Sequence, residues 1–259
     1  MKFKTIGLFS ISDKGRMAAE DALFQIALRG IKPVILDKNS SPNEDIDMLI
    51  TFGGDGTVLL GAKIAEGKPI LPVNTGKVGF LSEISYDELS IALDLIFKES
   101  FHIERHWSLL CKFMDKELYC INDCILYKEE FTSIMRCSIY VNGLEVGKIH
   151  GDGVTVCTPT GSTAYSLSAG GPVIMPDSDI MCITPISSHN LSTRPIVLPK
   201  SARISIKLES AAELSLDGID IFKLDASDIV EIEGSDVNVK FIRFGNRNVF
   251  ELIREKLTL

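Results

Sequence analysis

The stretch that most constrains the fold is Gly53-Gly54-Asp55-Gly56-Thr57, set between two apolar runs. Before it, Asp47-Met48-Leu49-Ile50-Thr51-Phe52 is short, partly β-branched and without polar alternation, as a strand buried on both faces requires. After it, Val58-Leu59-Leu60-Gly61-Ala62-Lys63-Ile64-Ala65 predicts a helix. A buried strand that passes through glycines into a helix belongs to a parallel sheet covered by helices, and such sheets hold ligands at the carboxyl ends of their strands. Gly53, Gly54 and Gly56 let the backbone turn and bring its N–H groups close to a ligand. With the positive end of the helix they favour an anion, above all a phosphate. Asp55 is the anomaly, because a carboxylate repels phosphate. It serves a cation, a hydroxyl or both, or it merely caps the helix.

The neighbouring sequence repeats this alternation. A strand over 5–10 leads to a helix over 16–29, with Ala18, Ala22 and Ile26 on its apolar face and Gly30 at its end. Strands follow over 33–36 and 69–74, then a second glycine turn over 74–81 and a helix over 86–98. From residue 101 the texture changes to short apolar runs at 106–114, 117–127, 134–141, 153–157, 180–186, 203–209, 213–216, 229–233 and 236–243. Turn signals such as Asn142-Gly143 and Asp217-Gly218 separate them. The exception is 161–171, small-residue-rich, which predicts a loop leading into a short helix. The fold class expected is α/β: an N-terminal Rossmann-like parallel-sheet domain over 1–100 and a β-rich C-terminal domain over 101–244. A terminal helix, over 247–257 within the segment 245–259, is expected to complete the first domain.

With 259 residues and 45% hydrophobic content, the chain can bury a sizeable core. A formal charge of −8 argues against nucleic acid or an anionic membrane as a partner, yet leaves room for a phosphate site built from backbone amides. No run is long enough to span a membrane, and Asp13 and Lys14 end the first apolar stretch too early for a signal peptide. Six cysteines at irregular spacings, with no CxxC pair, read as buried free thiols in a reducing compartment, so a cytoplasmic location is expected. His102 and His106 are four apart but have no third ligand nearby, which argues against zinc.

Two common nucleotide motifs are absent. Gly56 and Gly61 have the spacing of a Walker A loop, but Ala62 stands where the lysine should be. The dinucleotide pattern G-x-G-x-x-G fails because Leu59 follows Gly54 and Gly56 in place of its third glycine.

The chain nevertheless resembles the NAD kinase family over most of its length. The matching pieces are GGDGT at 53–57, NTGKVGFL at 74–81, Asn122-Asp123, GDG at 151–153, TPTGSTAYSLSAGGP at 158–172, RPIVLP at 194–199 and Asp217-Gly218. GGDGT by itself has close relatives in lipid kinases and phosphofructokinases, whereas TPTGSTAYS downstream of an Asn–acid pair is far more specific. The resemblance implies transfer of the ATP γ-phosphate to the 2′-hydroxyl of the adenosine ribose of NAD, giving NADP. It also implies a site in the cleft between an α/β and a β-rich domain.

On this resemblance Asp55 is the general base, since a ribose hydroxyl must lose its proton as the phosphorus–oxygen bond forms. Gly53, Gly54, Thr57, Thr75 and Gly76 hold ATP phosphate, although the second turn, Thr75, Gly76 and Gly79, also reads as purely structural. Gly56, with Asp55, lies on the NAD side. Asn122 and Asp123 interrupt an apolar run, which is costly unless their polar groups are bonded; a vicinal diol satisfies both, an exposed turn being the other reading. Thr163, Ala164, Tyr165, Ser166 and Ser168 match the dinucleotide loop, with Tyr165 offering a ring to stack on or else an ordinary core residue. Asp152 matches a residue near the nicotinamide half, or is a turn residue.

Three departures stand out: His150 where relatives often carry arginine, Ile219 where glutamine is frequent, and Asp123 where glutamate is common. His150 remains a candidate contact. A divalent cation, Mg²⁺ by the chemistry of phosphoryl transfer, is expected, although no carboxylate cluster announces a metal cage. The resemblance further implies a homo-oligomer, dimer or tetramer. The competing readings are another GGDGT kinase acting on a lipid or sugar, and a dinucleotide sensor without catalysis.

Overall fold

A computed structural model describes residues 3–40, 45–76, 79–245, 251, 253 and 254. The chain divides into two units, one of residues 1–105 and 239–259 and the other of residues 106–238.

The first unit begins with β1 (Thr5–Phe9), α1 (Asp13–Ala27), β2 (Lys32–Leu36), β3 (Met48–Phe52), α2 (Asp55–Ala65) and β4 (Pro69–Asn74). A short β5 (Ile84–Ser85), a 3-10 turn and α3 (Leu89–Phe97) follow, and β6 (His102–Phe113) begins here. The strand order is β2-β1-β3-β4, every pair parallel. Beyond β4 come β5 and residues 240–241, again parallel. Every residue of β3 and β4 is buried, as their unbroken apolar runs predict. Ile6, Leu8, Ile50, Phe52 and Leu71 of the sheet share a core with Ala22 and Ile26 of α1 and Leu93 of α3.

Helix α1 starts three residues before the apolar periodicity does, because the Ser12 hydroxyl accepts the Gly15 N–H at 3.1 Å. A cap contributes about 1 kcal/mol, whereas each sealed Leu or Ile contributes about 1.5–3 kcal/mol. The core therefore holds the helix, and the cap decides only where it begins. A Cβ on Gly15 would lie 2.3 Å from the Phe52 carbonyl, so the turn after β1 packs directly on the end of β3. The terminal helix expected over 247–257 lies outside the described residues except at 251, 253 and 254.

The second unit takes the remainder of β6, then β7 (Lys116–Cys120), β8 (Asp123–Lys128), β9 (Met135–Val141), β10 (Leu144–Gly151) and β11 (Gly153–Cys157). A 3-10 turn (Thr160–Thr163) and a one-turn α4 (Tyr165–Ser168) come next. The unit ends with β12 (Ile180–Ile186), β13 (Ile196–Pro199), β14 (Arg203–Leu208), β15 (Ala212–Leu216), β16 (Asp220–Leu224) and most of β17 (Ile229–Arg243). One antiparallel sheet has the order β13-β12-β11-β8-β15-β16. A second runs β10-β9-β14-β17, with β6 and then β7 beyond. The two bury one core, in which Leu126, Val156, Ile183 and Leu214 of the first meet Leu109, Ile139, Ile206 and Ile232 of the second.

The three strands of the second unit that hydrophobic patterning misses, β10, β13 and β16, all lie at sheet edges. Edge strands expose much of both faces, so no apolar rhythm marks them. The run at 117–127 breaks at Ile121-Asn122 into β7 and β8, whereas 229–243 is one strand where two runs were expected. Asn142-Gly143 and Asp217-Gly218 both have positive φ, the left-handed pair of a tight hairpin.

Candidate active site

In the first unit, the end of β3 runs through Gly53 and Gly54 into α2. A Cβ on Gly53 would lie 2.3 Å from the Thr57 hydroxyl, which is itself buried, so this glycine is demanded by packing. Gly54 and Gly56 face open space, which leaves their side of the turn clear for a ligand. Asp55 is the first residue of α2, and the helix has no side-chain cap. The capping role is therefore not what holds its carboxylate. Its two oxygens accept the Phe80 N–H at 2.8 Å and the Leu81 N–H at 3.0 Å, in the second glycine turn. A Cβ on Gly79 would fall 2.0 Å from Asp55 Oδ1, so only glycine allows this approach.

The second turn is folded locally by Asn74, whose Oδ1 accepts the Gly76 N–H at 2.8 Å and whose amide nitrogen donates to the Gly76 carbonyl at 3.1 Å. Thr75 is half-buried, and Gly76 is exposed with open space beside it. Arg243, 1% exposed at the end of β17, donates to the Leu81 carbonyl and to Glu83, both at 3.1 Å, and also pairs with Glu104. The turn that grips Asp55 is thus braced from behind by a buried guanidinium.

In the second unit, Asn122 and Asp123 sit where β7 gives way to β8. Asp217 gathers the backbone of this turn, its carboxylate accepting the N–H groups of Ile121, Asn122 and Asp123. Thr158 holds the carbonyls, its hydroxyl donating to Ile121 O at 2.5 Å and its N–H to Asn122 O at 2.9 Å. A Cβ on Gly161 would lie 1.9 Å from the Asn122 carbonyl, so the 158–163 loop is packed flat on the pair. Asn122 Oδ1 is buried without a hydrogen-bond partner. The Asp123 carboxyl is pushed up to about 7, first by burial and then by Asp217, against the Tyr165 N–H that it accepts. Of the pair, the Asn122 amide oxygen is left without a donor.

The dinucleotide-loop candidates divide. Tyr165 is 41% exposed, which excludes the core reading and leaves its ring accessible. Ser166 is fully buried, with its hydroxyl 2.9 Å from that of Thr184. It shapes the loop from inside. Thr163 donates to the Thr160 carbonyl at 3.3 Å, Ala164 is half-buried and Ser168 is exposed. Asp152 is salt-bridged to Lys128 at 2.7 Å, which together with Ser187 keeps its carboxyl below the usual carboxylate range. Its N–H also continues the strand pairing to Ile186 O, so it is more than a turn residue. The exposed His150 is among the groups that lower the Glu209 carboxyl, whereas those that lower the Asp152 carboxyl are Lys128, Ser187 and His189. All six cysteines are buried and unpaired by disulfides. Among the described residues no three metal-ligating side chains gather, and no helix is long and apolar enough to cross a membrane.

Sequence reasoning missed Lys128 and the part played by Asp217. The Asp217-Gly218 dipeptide gave a turn signal and a piece of the family resemblance but no role for the carboxylate, since its contacts lie 95 and 96 residues back in the chain.

Known proteins supply independent information. Residues 31–101 match the ATP-NAD kinase N-terminal domain and residues 121–244 the ATP-NAD kinase C-terminal domain. The chain is 32% identical to an NAD kinase of Caldicellulosiruptor bescii over 258 residues, 97% of this chain and 98% of that protein. It is 39% identical to an NAD kinase of Fusobacterium nucleatum over 230 residues, 86% of this chain and 85% of the relative. A yeast NADH kinase solved with NADH shares the fold with a TM-score of 0.86 at 24% identity, over 98% of this chain and 87% of that one. An Archaeoglobus fulgidus NAD kinase solved with ATP gives 0.84 at 24% identity, over 98% of both chains. On the strength of both domain matches and the full-length relatives, the chain belongs to the NAD kinase family.

Proposed function

We propose that the protein transfers the γ-phosphate of ATP to the 2′-hydroxyl of the adenosine ribose of NAD, producing NADP and ADP. The ribose oxygen bonds to the γ-phosphorus, the bridging bond to ADP breaks, and the hydroxyl proton passes to the Asp55 carboxylate. Two backbone N–H bonds hold that carboxylate in one orientation, which supports its use as a fixed proton acceptor. The open faces at Gly54, Gly56 and Gly76 support phosphate approaching backbone amides there.

The observation that carries the reading is Asn122 Oδ1, buried and unpartnered beside the desolvated Asp123. Leaving a buried acceptor unmet costs about 1–3 kcal/mol. The ribose meets this need, its 3′-hydroxyl donating to the pair while the 2′-hydroxyl keeps its one proton for Asp55. Tyr165 would then stack on the nucleotide, with the Ser166-braced loop setting the ring's position. A divalent cation would arrive on the ATP phosphates, because the described residues offer no protein cage for it. A lipid acceptor would leave the buried Asn122 amide oxygen unmet. We further place the protein in the cytoplasm as a homo-oligomer, to be checked by light scattering.

The test is NADP formation from NAD or NADH with ATP or polyphosphate as donor, run on wild type and Asp55→Asn. Activity with NAD and ATP, lost in the variant, is expected. Equal turnover in the variant removes Asp55 as the base, and phosphorylation of a lipid or sugar in place of NAD removes the substrate assignment.

A further inference from the structure

We propose that Asp217 is a positioning residue for ribose recognition, clasping the backbone of residues 121–123 so that Asn122 and Asp123 present their side chains to the dinucleotide. This rests on the kinase reading and adds to it a residue that touches no substrate.

The geometry is specific. Asp217 Oδ1 accepts the N–H groups of Ile121 at 3.0 Å, Asn122 at 2.7 Å and Asp123 at 3.3 Å, and Oδ2 accepts the Ile121 N–H again at 2.9 Å. The Asp217 N–H returns a bond to the Asp123 carbonyl at 3.0 Å. With Thr158 on the carbonyls of Ile121 and Asn122, the backbone of this turn is bonded within the protein. What the turn has left to offer a ligand is its side chains.

A plain hairpin does not need this arrangement. Residue 217 has φ +55, which asparagine tolerates as readily as aspartate. Convergent N–H groups form an anion-binding nest, yet a carboxylate placed there sits beside Asp123, and two like charges in a buried site repel. The protein accepts that repulsion to fix the turn. The titratable groups that act on or near Asp123 are Asp217 from the β15–β16 turn, Cys124 on its own strand and Cys157 on the adjacent β11. The hydrogen bond with Cys111 and then burial raise the Cys124 thiol, and burial raises that of Cys157, so both stay neutral and the neighbour whose charge acts on Asp123 is Asp217.

Asp217→Asn keeps the shape and one acceptor but turns an NH₂ group toward the Ile121 N–H. The expected result is a KM for NAD raised about tenfold, with the KM for ATP moving less than about threefold. Ribose binding by Asp123 requires its ionised form, so the acid limb of kcat/KM for NAD should shift to lower pH when the neighbouring charge is removed. Equal rises in both KM values, an unchanged KM for NAD, or an unmoved acid limb would each overturn the proposal. Should this variant not fold, Asp217→Glu carries the comparison: charge kept, reach changed, KM for NAD raised selectively and the limb unmoved, with an equal rise for ATP again overturning it. A wild-type protein inactive on NAD would instead defeat the kinase reading, and Asp217 would then be judged by calorimetric NAD affinity, where wild type and Asp217→Asn binding alike counts against it.

Discussion

The two units use one device in opposite senses. In each, a carboxylate collects backbone N–H groups from a turn distant in sequence: Asp55 from Phe80 and Leu81, Asp217 from residues 121–123. In the first unit the carboxylate is the proposed working group, only partly buried, and the turn steadies it. In the second the carboxylate is the buried support, and the turn carries the side chains proposed to bind the ribose. Such a clasp fixes a position without deciding which partner meets the substrate.

Removing the working carboxylate should have the largest effect. Asp55→Asn is expected to lower kcat by about 10²–10⁴, measured as NADP formation, with little change in thermal unfolding. Retained activity would erase the difference between the two clasps. Next comes Gly79→Ala, whose Cβ would land on the Asp55 carboxylate; a loss of about a hundredfold in kcat is expected from misplacing the base. Gly54→Ala is the matching control, with nothing within 4 Å of its Cβ, and should leave stability intact while raising the KM for ATP. If Gly79→Ala and Gly54→Ala behave alike, the contact with Asp55 does not matter to catalysis.

In the second unit, Asn122→Ala should raise the KM for NAD about tenfold and that for ATP much less; an equal effect on both would deny the pair its ribose. The smallest effect concerns pH. The folded protein holds the Asp123 proton up to about 7, against 3.8 ordinarily, so the unfolded chain releases it first. Stability from this group therefore falls as pH rises from about 4 to about 7 and is level above. Asp123→Asn should flatten that decline by no more than a few kcal/mol, read from denaturant unfolding at pH 5 and pH 8. A variant as pH-sensitive as wild type would place the titration elsewhere.

Much of the first unit was legible because a strand buried on both faces announces itself, as Met48–Phe52 and Pro69–Asn74 do. The second unit was legible in its centre and obscure at its rims: β12 lies where its apolar run predicts, while β10, β13 and β16 carry no such rhythm. The gap between the runs 229–233 and 236–243 holds Gly234, yet β17 passes through it; a Cβ there would lie 2.6 Å from the Lys200 carbonyl, so packing demands the glycine. In the site, GGDGT and Asn122-Asp123 marked themselves by breaking apolar runs. What holds them did not, since the bonds to Phe80, Leu81 and Asp217 join segments that only folding brings together.

Strand β17 gives its last residues, from Val239 onward, to the first unit, and there Arg243 reaches back to Leu81, Glu83 and Glu104. During translation the ribosome must therefore make the whole of the second unit before the first can acquire its final strand. A nascent chain halted anywhere short of that point would carry Asp55, the proposed base, in a turn still lacking its brace, so activity is expected only once the chain has been made through Arg243.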